Sequence, residues 1–171
     1  MLFVALPSGT ATRKDEIDWI VERAKRNISN GTQTCIMSTY NGIIKNDFSD
    51  LFSSKLVIYA DIFHDTISGA RSERIFEIND RLVDIGIFLS QLIENSKKAQ
   101  TPLDIIFHNF SALIHNLGDA DVYRLITFKA PQLDERTHLT LIIYPKSHVE
   151  EIWQKFKNQA REVIEISGSR T

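Results

Sequence analysis

The segment best placed for chemistry is Leu6-Pro7-Ser8-Gly9-Thr10-Ala11-Thr12-Arg13-Lys14. It follows a short apolar run, Leu2–Leu6, and leads into an amphipathic stretch, so small residues lie between a buried strand and a helix. In that arrangement the N–H groups of the loop and of the first helical turn converge on an anion. Arg13 could grip a phosphate in bidentate fashion, with Lys14 beside it. At a helix start both charges oppose the dipole, and solvated charge is the competing reading. A second polar group, Asp61, His64, Asp65 and His108, follows two other apolar runs. Mixed imidazole and carboxylate ligands suit a transition metal if those two strands are neighbours. No pair among them has a diagnostic spacing, so ordinary hydrogen-bonding loop residues are the preferred reading.

The remaining reactive side chains carry weaker signals. Cys35, the one cysteine, sits in the apolar run Thr34-Cys35-Ile36-Met37 and reads as a small buried hydrophobe. Ser8 has no histidine and acid at motif spacing and lies in no Gly-x-Ser-x-Gly elbow, which sets serine hydrolysis aside. His115 and Asn116 precede Gly118 near a helix end, where His115 is a capping contributor rather than a catalyst. Trp19 and Trp153 fall on helices, as interface anchors or as half-buried members of an outer layer.

The elements that position these residues alternate. Strands are expected at Leu2–Leu6, Thr34–Thr39, Lys55–Ala60, Leu103–Phe107, His138–Tyr144 and Glu162–Ile166. Helices are expected over Lys14–Asn30, with Ile17, Ile20, Val21, Ala24 and Ile28 on one face, and over Glu73–Lys97, with Ile75, Ile78, Leu82, Ile85, Leu89, Leu92 and Ile93 buried. Asp15 and Glu16 suit the start of the first helix and Asn30-Gly31 its end. Gly86, inside the second, costs about 1 kcal/mol unless close packing requires it. Further helical pieces are expected at Asp47–Phe52, Ala112–Asn116, Val122–Leu133 (bent or ended by Pro131) and Val149–Ala160, with turns at Tyr40-Asn41-Gly42 and Gly118. Alternation with doubly apolar strands predicts one α/β domain over residues 1–171: three layers, a mostly parallel central sheet and helices on both faces. Ligands of such sheets sit beyond the carboxyl ends of the strands, here Pro7–Thr12, Thr39–Asn41, Asp61–Asp65, His108–Asn109 and Tyr144–Lys146.

Composition narrows the partners. With 20 basic and 22 acidic residues in 171, the chain has no general drive toward nucleic acid or an anionic membrane. No stretch approaches the roughly 20 apolar residues of a membrane span. The apolar start Met1–Pro7 is too short for a signal peptide and lacks a basic flank, and a lone cysteine fits a reducing compartment, so a cytoplasmic protein is expected.

The Leu6–Lys14 loop resembles a degenerate Walker A loop of the RecA/KaiC class, whose glycine-rich turn ends Gly-Lys-Ser/Thr. Ser8-Gly9-Thr10 matches the small-residue part; Ala11 stands for the last glycine, Thr12 for the phosphate-binding lysine and Arg13 for the magnesium-binding hydroxyl. Leu103–Ile114 (LDIIFHNFSALI) resembles the Walker B strand and following helix of KaiC-like proteins, with His108 at the aspartate position and Asn109 after it. His138–Tyr144, Val149–Ala160 and Arg161–Ile166 are similar to the family's ending, so the resemblance runs through nearly the whole chain.

What the resemblance implies is a machine without its working parts. Histidine does not replace a carboxylate in holding hydrated magnesium. The exit of the second strand, Ser38-Thr39-Tyr40-Asn41, has no carboxylate to serve as general base. With lysine, metal ligand and base all changed, hydrolysis of ATP by this chain alone is not expected. The expectation is a non-catalytic RecA-like domain in a regulatory or scaffolding role, holding protein partners or assembling with itself as a homo- or hetero-oligomer, with no cofactor. The alternative is an ATP-binding protein or ATPase that holds nucleotide through loop N–H groups plus Arg13 or Lys14, completed by a neighbouring subunit. Recombinase-like nucleic-acid binding is disfavoured by the charge balance.

Overall fold

The computed structural model describes residues 1–39, 45–64 and 67–168, the side chains of Lys45 and Asn46 aside. The turn expected at Tyr40-Asn41-Gly42, and Asp65, lie outside the described residues. Strands β1 (Leu2–Pro7), β2 (Gln33–Ser38), β3 (Val57–Phe63), β4 (Gly69–Ser72), β5 (Ile75–Asn79), β6 (Leu103–His108), β7 (Thr137–Ile142) and β8 (Glu162–Ile166) form one sheet in the order β4-β5-β3-β2-β6-β7-β1-β8. Every pairing is parallel except that of β4 with β5. The helices are α1 (Arg13–Ser29), α2 (Leu82–Ala99), α3 (Phe110–Leu117), α4 (Asp119–Lys129) and α5 (Glu150–Gln159), and 3₁₀ turns occupy Lys45–Ser53, Ala130–Gln132 and Pro145–Ser147.

Alternation along the central strands divides the core into two layers. Val4, Cys35, Met37, Ile105 and Leu141 face α2, α4 and α5 through Ile85, Leu89, Val122, Ile126 and Phe156. Ala5, Ile36, Tyr59, Ile106 and Ile142 face α1 and the 45–53 turn through Ile20, Ala24, Phe48 and Leu51. The three-layer α/β expectation holds. Gly86 is where α2 meets α4: a Cβ there would lie 3.3 Å from Leu125 Cδ1, so close helix packing accounts for the glycine. Cys35 is fully buried, and burial pushes its thiol far up, which leaves no thiolate nucleophile.

One expected element is corrected. Residues 73–81 do not open a long helix. Ile75 and Ile78 belong to β5, which pairs parallel with β3, while β4 folds back antiparallel at the sheet edge. The helix begins at Leu82, after Asn79 Oδ1 accepts the Arg81 N–H at 3.0 Å.

α1 runs back across the sheet, and its inward stripe changes character along its length. At the amino edge, Arg23 clamps Asp104 through Nε–Oδ2 and Nη2–Oδ1 contacts of 2.6 and 3.0 Å. Asn27 adds a donor to the same carboxylate at 2.8 Å and another to Thr34 Oγ1 at 3.0 Å. Ile20 and Ala24 cover the apolar middle. At the carboxyl edge the stripe ends in Glu16, which is 5% exposed.

Candidate functional site

The Leu6–Lys14 loop is closed by the chain's own groups. Ser8 N–H donates to the Ile166 carbonyl (2.8 Å) and Ala11 N–H to the Ser8 carbonyl (3.1 Å). Gly168 N–H donates to Ser8 Oγ at 3.3 Å, and a Cβ on Gly168 would sit 2.5 Å from the Thr10 carbonyl oxygen, so only glycine lets the segment after β8 lie this close. Thr12 is the N-cap of α1 and forms a capping box with Asp15. Asp15 Oδ2 accepts from both the Thr12 N–H and its hydroxyl at 2.7 Å. A carboxylate of the protein itself therefore holds the helix N-terminus, where an anion would otherwise be drawn.

Arg13 and Lys14 engage other carboxylates. The Arg13 guanidinium reaches Asp47 at 3.0 Å, and Lys14 pairs with Asp18 one turn along at 2.9 Å. Ser8 Oγ and Thr10 Oγ1 lie 3.2 Å apart.

His108 ends β6 on the same edge, and Asn109 follows it as the N-cap of α3. β7 lies between β6 and β1, and on the other side β2 lies between β6 and β3. Asp61 and His108 are thus not on neighbouring strands: Ser38 stands between them, in register with both. Two strand spacings separate their backbones by about 9–10 Å. His64 Nδ1 instead lies 3.2 Å from Asp80 Oδ2. Among the described residues no three of His, Cys, Asp and Glu are grouped to hold a metal ion. Asp61, His64 and His108 each have a polar neighbour within hydrogen-bonding reach, in keeping with the preferred reading of them as hydrogen-bonding residues. Asn109 takes the left-handed conformation (φ 53°, ψ 46°) that its short amide side chain tolerates, and its carbonyl accepts from the Thr39 hydroxyl at 3.2 Å.

The edge residues join into a row of buried polar groups. Tyr59 donates to Asp61 at 2.7 Å; burial first, and this bond second, push the phenol well above its ordinary range, while a hydrogen bond with Ser38 acts in the opposite sense. Ser38 Oγ lies 3.5 Å from His108 Nδ1, and His108 Nε2 lies 3.5 Å from Glu16 Oε2. Tyr144 closes the row by donating to Glu16 Oε2 at 2.6 Å. Ser38, His108 and Glu16 have the residue types of a hydrolytic triad, and Ser38 and His108 are fully buried. Glu16 falls four and eight residues before Ile20 and Ala24, in phase with the buried stripe of α1.

Beside the loop a cleft of about 350 Å³ opens between Pro7–Ala11 and Tyr144–Lys146, with Glu16 in its lining. At the far side of this edge His115, in the last turn of α3, stacks on His148 with ring centroids 4.5 Å apart. His148 Nε2 is buried and lacks a hydrogen-bond partner among the described residues. Burial, and then the adjacent His115, hold the His148 imidazole below the usual histidine range; burial does the same to His138, against the pull of Asp104. The unfolded chain takes up these protons near pH 6.5 while the folded one resists. The stability tied to the neutral rings is complete above that pH and is lost as pH falls below it. The urea midpoint is expected to be lower at pH 5 than at pH 7, and His148→Phe, which keeps the stacking, is expected to remove part of that drop. An unchanged drop in the variant would refute this.

Trp19 and Trp153 are half-buried, each beneath a cation: Arg23 lies 5.2 Å over the first and Lys157 5.5 Å over the second. Among the described residues no helix is long and apolar enough to cross a membrane.

The chain matches no protein-family model and no curated protein. A solved structure from Pyrococcus horikoshii OT3, from a structural study of that protein, superposes with a TM-score of 0.59 over 97% of this chain and 81% of the other, at 10% identity. At that identity the likeness is one of fold alone.

Proposed function

We propose that this chain is a RecA/KaiC-like domain that does not transfer phosphoryl groups and acts as a regulatory or scaffolding subunit through protein contacts. The observation that carries the reading is the capping box of α1. Asp15 takes the Thr12 N–H and hydroxyl, and Arg13 and Lys14 pair with Asp47 and Asp18. A triphosphate arriving here would meet the Asp15 carboxylate at the helix N-terminus, with threonine (Thr12) at the family's lysine position and histidine (His108) at that of its magnesium-holding aspartate. The placement of the loop and His108 on one carboxyl edge, with a single strand between β1 and β6, supports the family reading. Assembly is supported by the outer edge of the sheet. β4 is exposed at all four residues, and Ile67 (91% exposed) and Ile87 (53%) lie beside it on the chain's surface.

Calorimetry with ATP and magnesium tests the catalytic half, and no heat of binding is expected. Micromolar binding that disappears in Arg13→Ala would establish the nucleotide-holding alternative instead. Size-exclusion chromatography with light scattering tests the other half: a mass above that of the monomer, or a protein partner recovered in stoichiometric amount, is expected. A strict monomer without a partner overturns it.

A further inference from the structure

The cleft beside the loop has a built interior. Pro7, Ala11, Tyr144 and Pro145 give it apolar walls. Its acidic member, Glu16, has a side chain only 6% exposed. Burying a carboxylate costs several kcal/mol unless its oxygens are satisfied. Here both contacts, Tyr144 Oη at 2.6 Å and His108 Nε2 at 3.5 Å, fall on Oε2. Oε1 has no hydrogen bond among the described residues, yet it is not one of the sealed polar atoms that lack a partner. It therefore keeps its contact with the cleft, as an acceptor whose orientation Tyr144 fixes in advance.

The lip carries the opposite charge. The Lys146 side chain leans over Gly9, so that a Cβ on that glycine would lie 3.2 Å from Nζ. Among the described residues no carboxylate comes within 4.0 Å of this ammonium, Glu16 included. One cleft thus presents a fixed negative group at its floor and a positive group at its lip, not neutralised by each other. A simple anion meets Glu16, a simple amine meets Lys146, and a polyphosphate meets Glu16 and Asp15 together. A small zwitterion satisfies both charges at once. We propose that the cleft binds an α-amino acid with an apolar side chain, its ammonium on Glu16 Oε1, its carboxylate on Lys146, and its side chain against Pro7, Ala11 and Pro145. The volume of about 350 Å³ suits a ligand of that size. The site is independent of how the chain's partners are read, and its loss would leave that reading untouched.

The test is ligand-observed saturation-transfer NMR on the full chain with four probes. They are L-leucine, 3-methylbutylamine (no carboxylate), 4-methylpentanoate (no ammonium) and inorganic phosphate. Leucine is expected to bind with a Kd of order 10⁻⁴ M and each truncated analogue about tenfold or more weaker. Glu16→Gln is expected to weaken leucine and the amine but not the acid. Lys146→Gln, a surface change that leaves folding alone, is expected to weaken leucine about tenfold and to spare the amine. Phenylalanine and valine extend the series by side-chain size. Leucine binding no tighter than its analogues, phosphate binding in preference to leucine, or affinity indifferent to Lys146→Gln would each overturn the proposal.

Discussion

Arg23→Ala is expected to lower the free energy of unfolding by about 3–5 kcal/mol, measured by urea or guanidinium titration. The guanidinium is the bidentate partner of Asp104, whose side chain is only 2% exposed while that of Arg23 is 18% exposed. Removing the arginine strands a buried carboxylate with Asn27 as its remaining donor. Removing the aspartate instead leaves a cation with some access to water, so Asp104→Ala is expected to cost less, about 2–3 kcal/mol. Arg23 also lies over the Trp19 and Phe3 rings at 5.2 and 5.9 Å, contacts that alanine abolishes as well. Arg23→Lys recovers only part of the loss, because a point charge cannot reproduce two parallel hydrogen bonds. The double replacement Arg23→Met with Asp104→Leu is expected to be more stable than Arg23→Ala, since a vacated pair costs less than a broken one. A loss below 1 kcal/mol for Arg23→Ala would show that the clamp contributes little.

Which of these features could be seen in the chain follows from how far each one's causes lie apart. β1, β2, β6 and β7 are short apolar runs bounded by turn residues, and the structure places them within a residue or two of where the pattern puts them. β5 is different. Ile75 and Ile78 continue the three- and four-residue spacing of Leu82, Ile85 and Leu89, so local periodicity favours helix. What decides otherwise is pairing with β3, a contact across the sheet with no local trace. The candidate site divides in the same way. The loop at Pro7–Thr12 and the edge position of His108 were legible. The partner of Arg13 was not, because Asp47 lies 34 residues away in another element. The supposed grouping of Asp61 with His108 rested on strand adjacency, and β2 inserts itself between them. Glu16 was hidden by its neighbour: beside Asp15 it passes for a second dipole-compensating acid, and only its phase with Ile20 and Ala24 turns it inward.

Phe110→Ala is expected to remove about 3–5 kcal/mol, a large part of the roughly 5–15 kcal/mol that holds an ordinary domain folded. Phe110 is fully buried at the first position of α3 and touches two rings edge-on, Phe107 at 5.0 Å and Phe156 at 5.4 Å. It ties together β6, α3 and α5 immediately after the left-handed Asn109, so it also sets the exit of the strand that ends in His108. Phe110→Leu keeps most of the volume and is expected to cost no more than about 1.5 kcal/mol. Because the ring secures the β6 exit, the alanine variant should also show faster native-state amide exchange from Phe107 to Ala112, beyond the general acceleration set by lower global stability. A loss under 1.5 kcal/mol for Phe110→Ala, with exchange unchanged there, would mean that the aromatic trio does not hold this edge and that the Glu16–His108–Ser38 row is positioned from β2 and α1 alone.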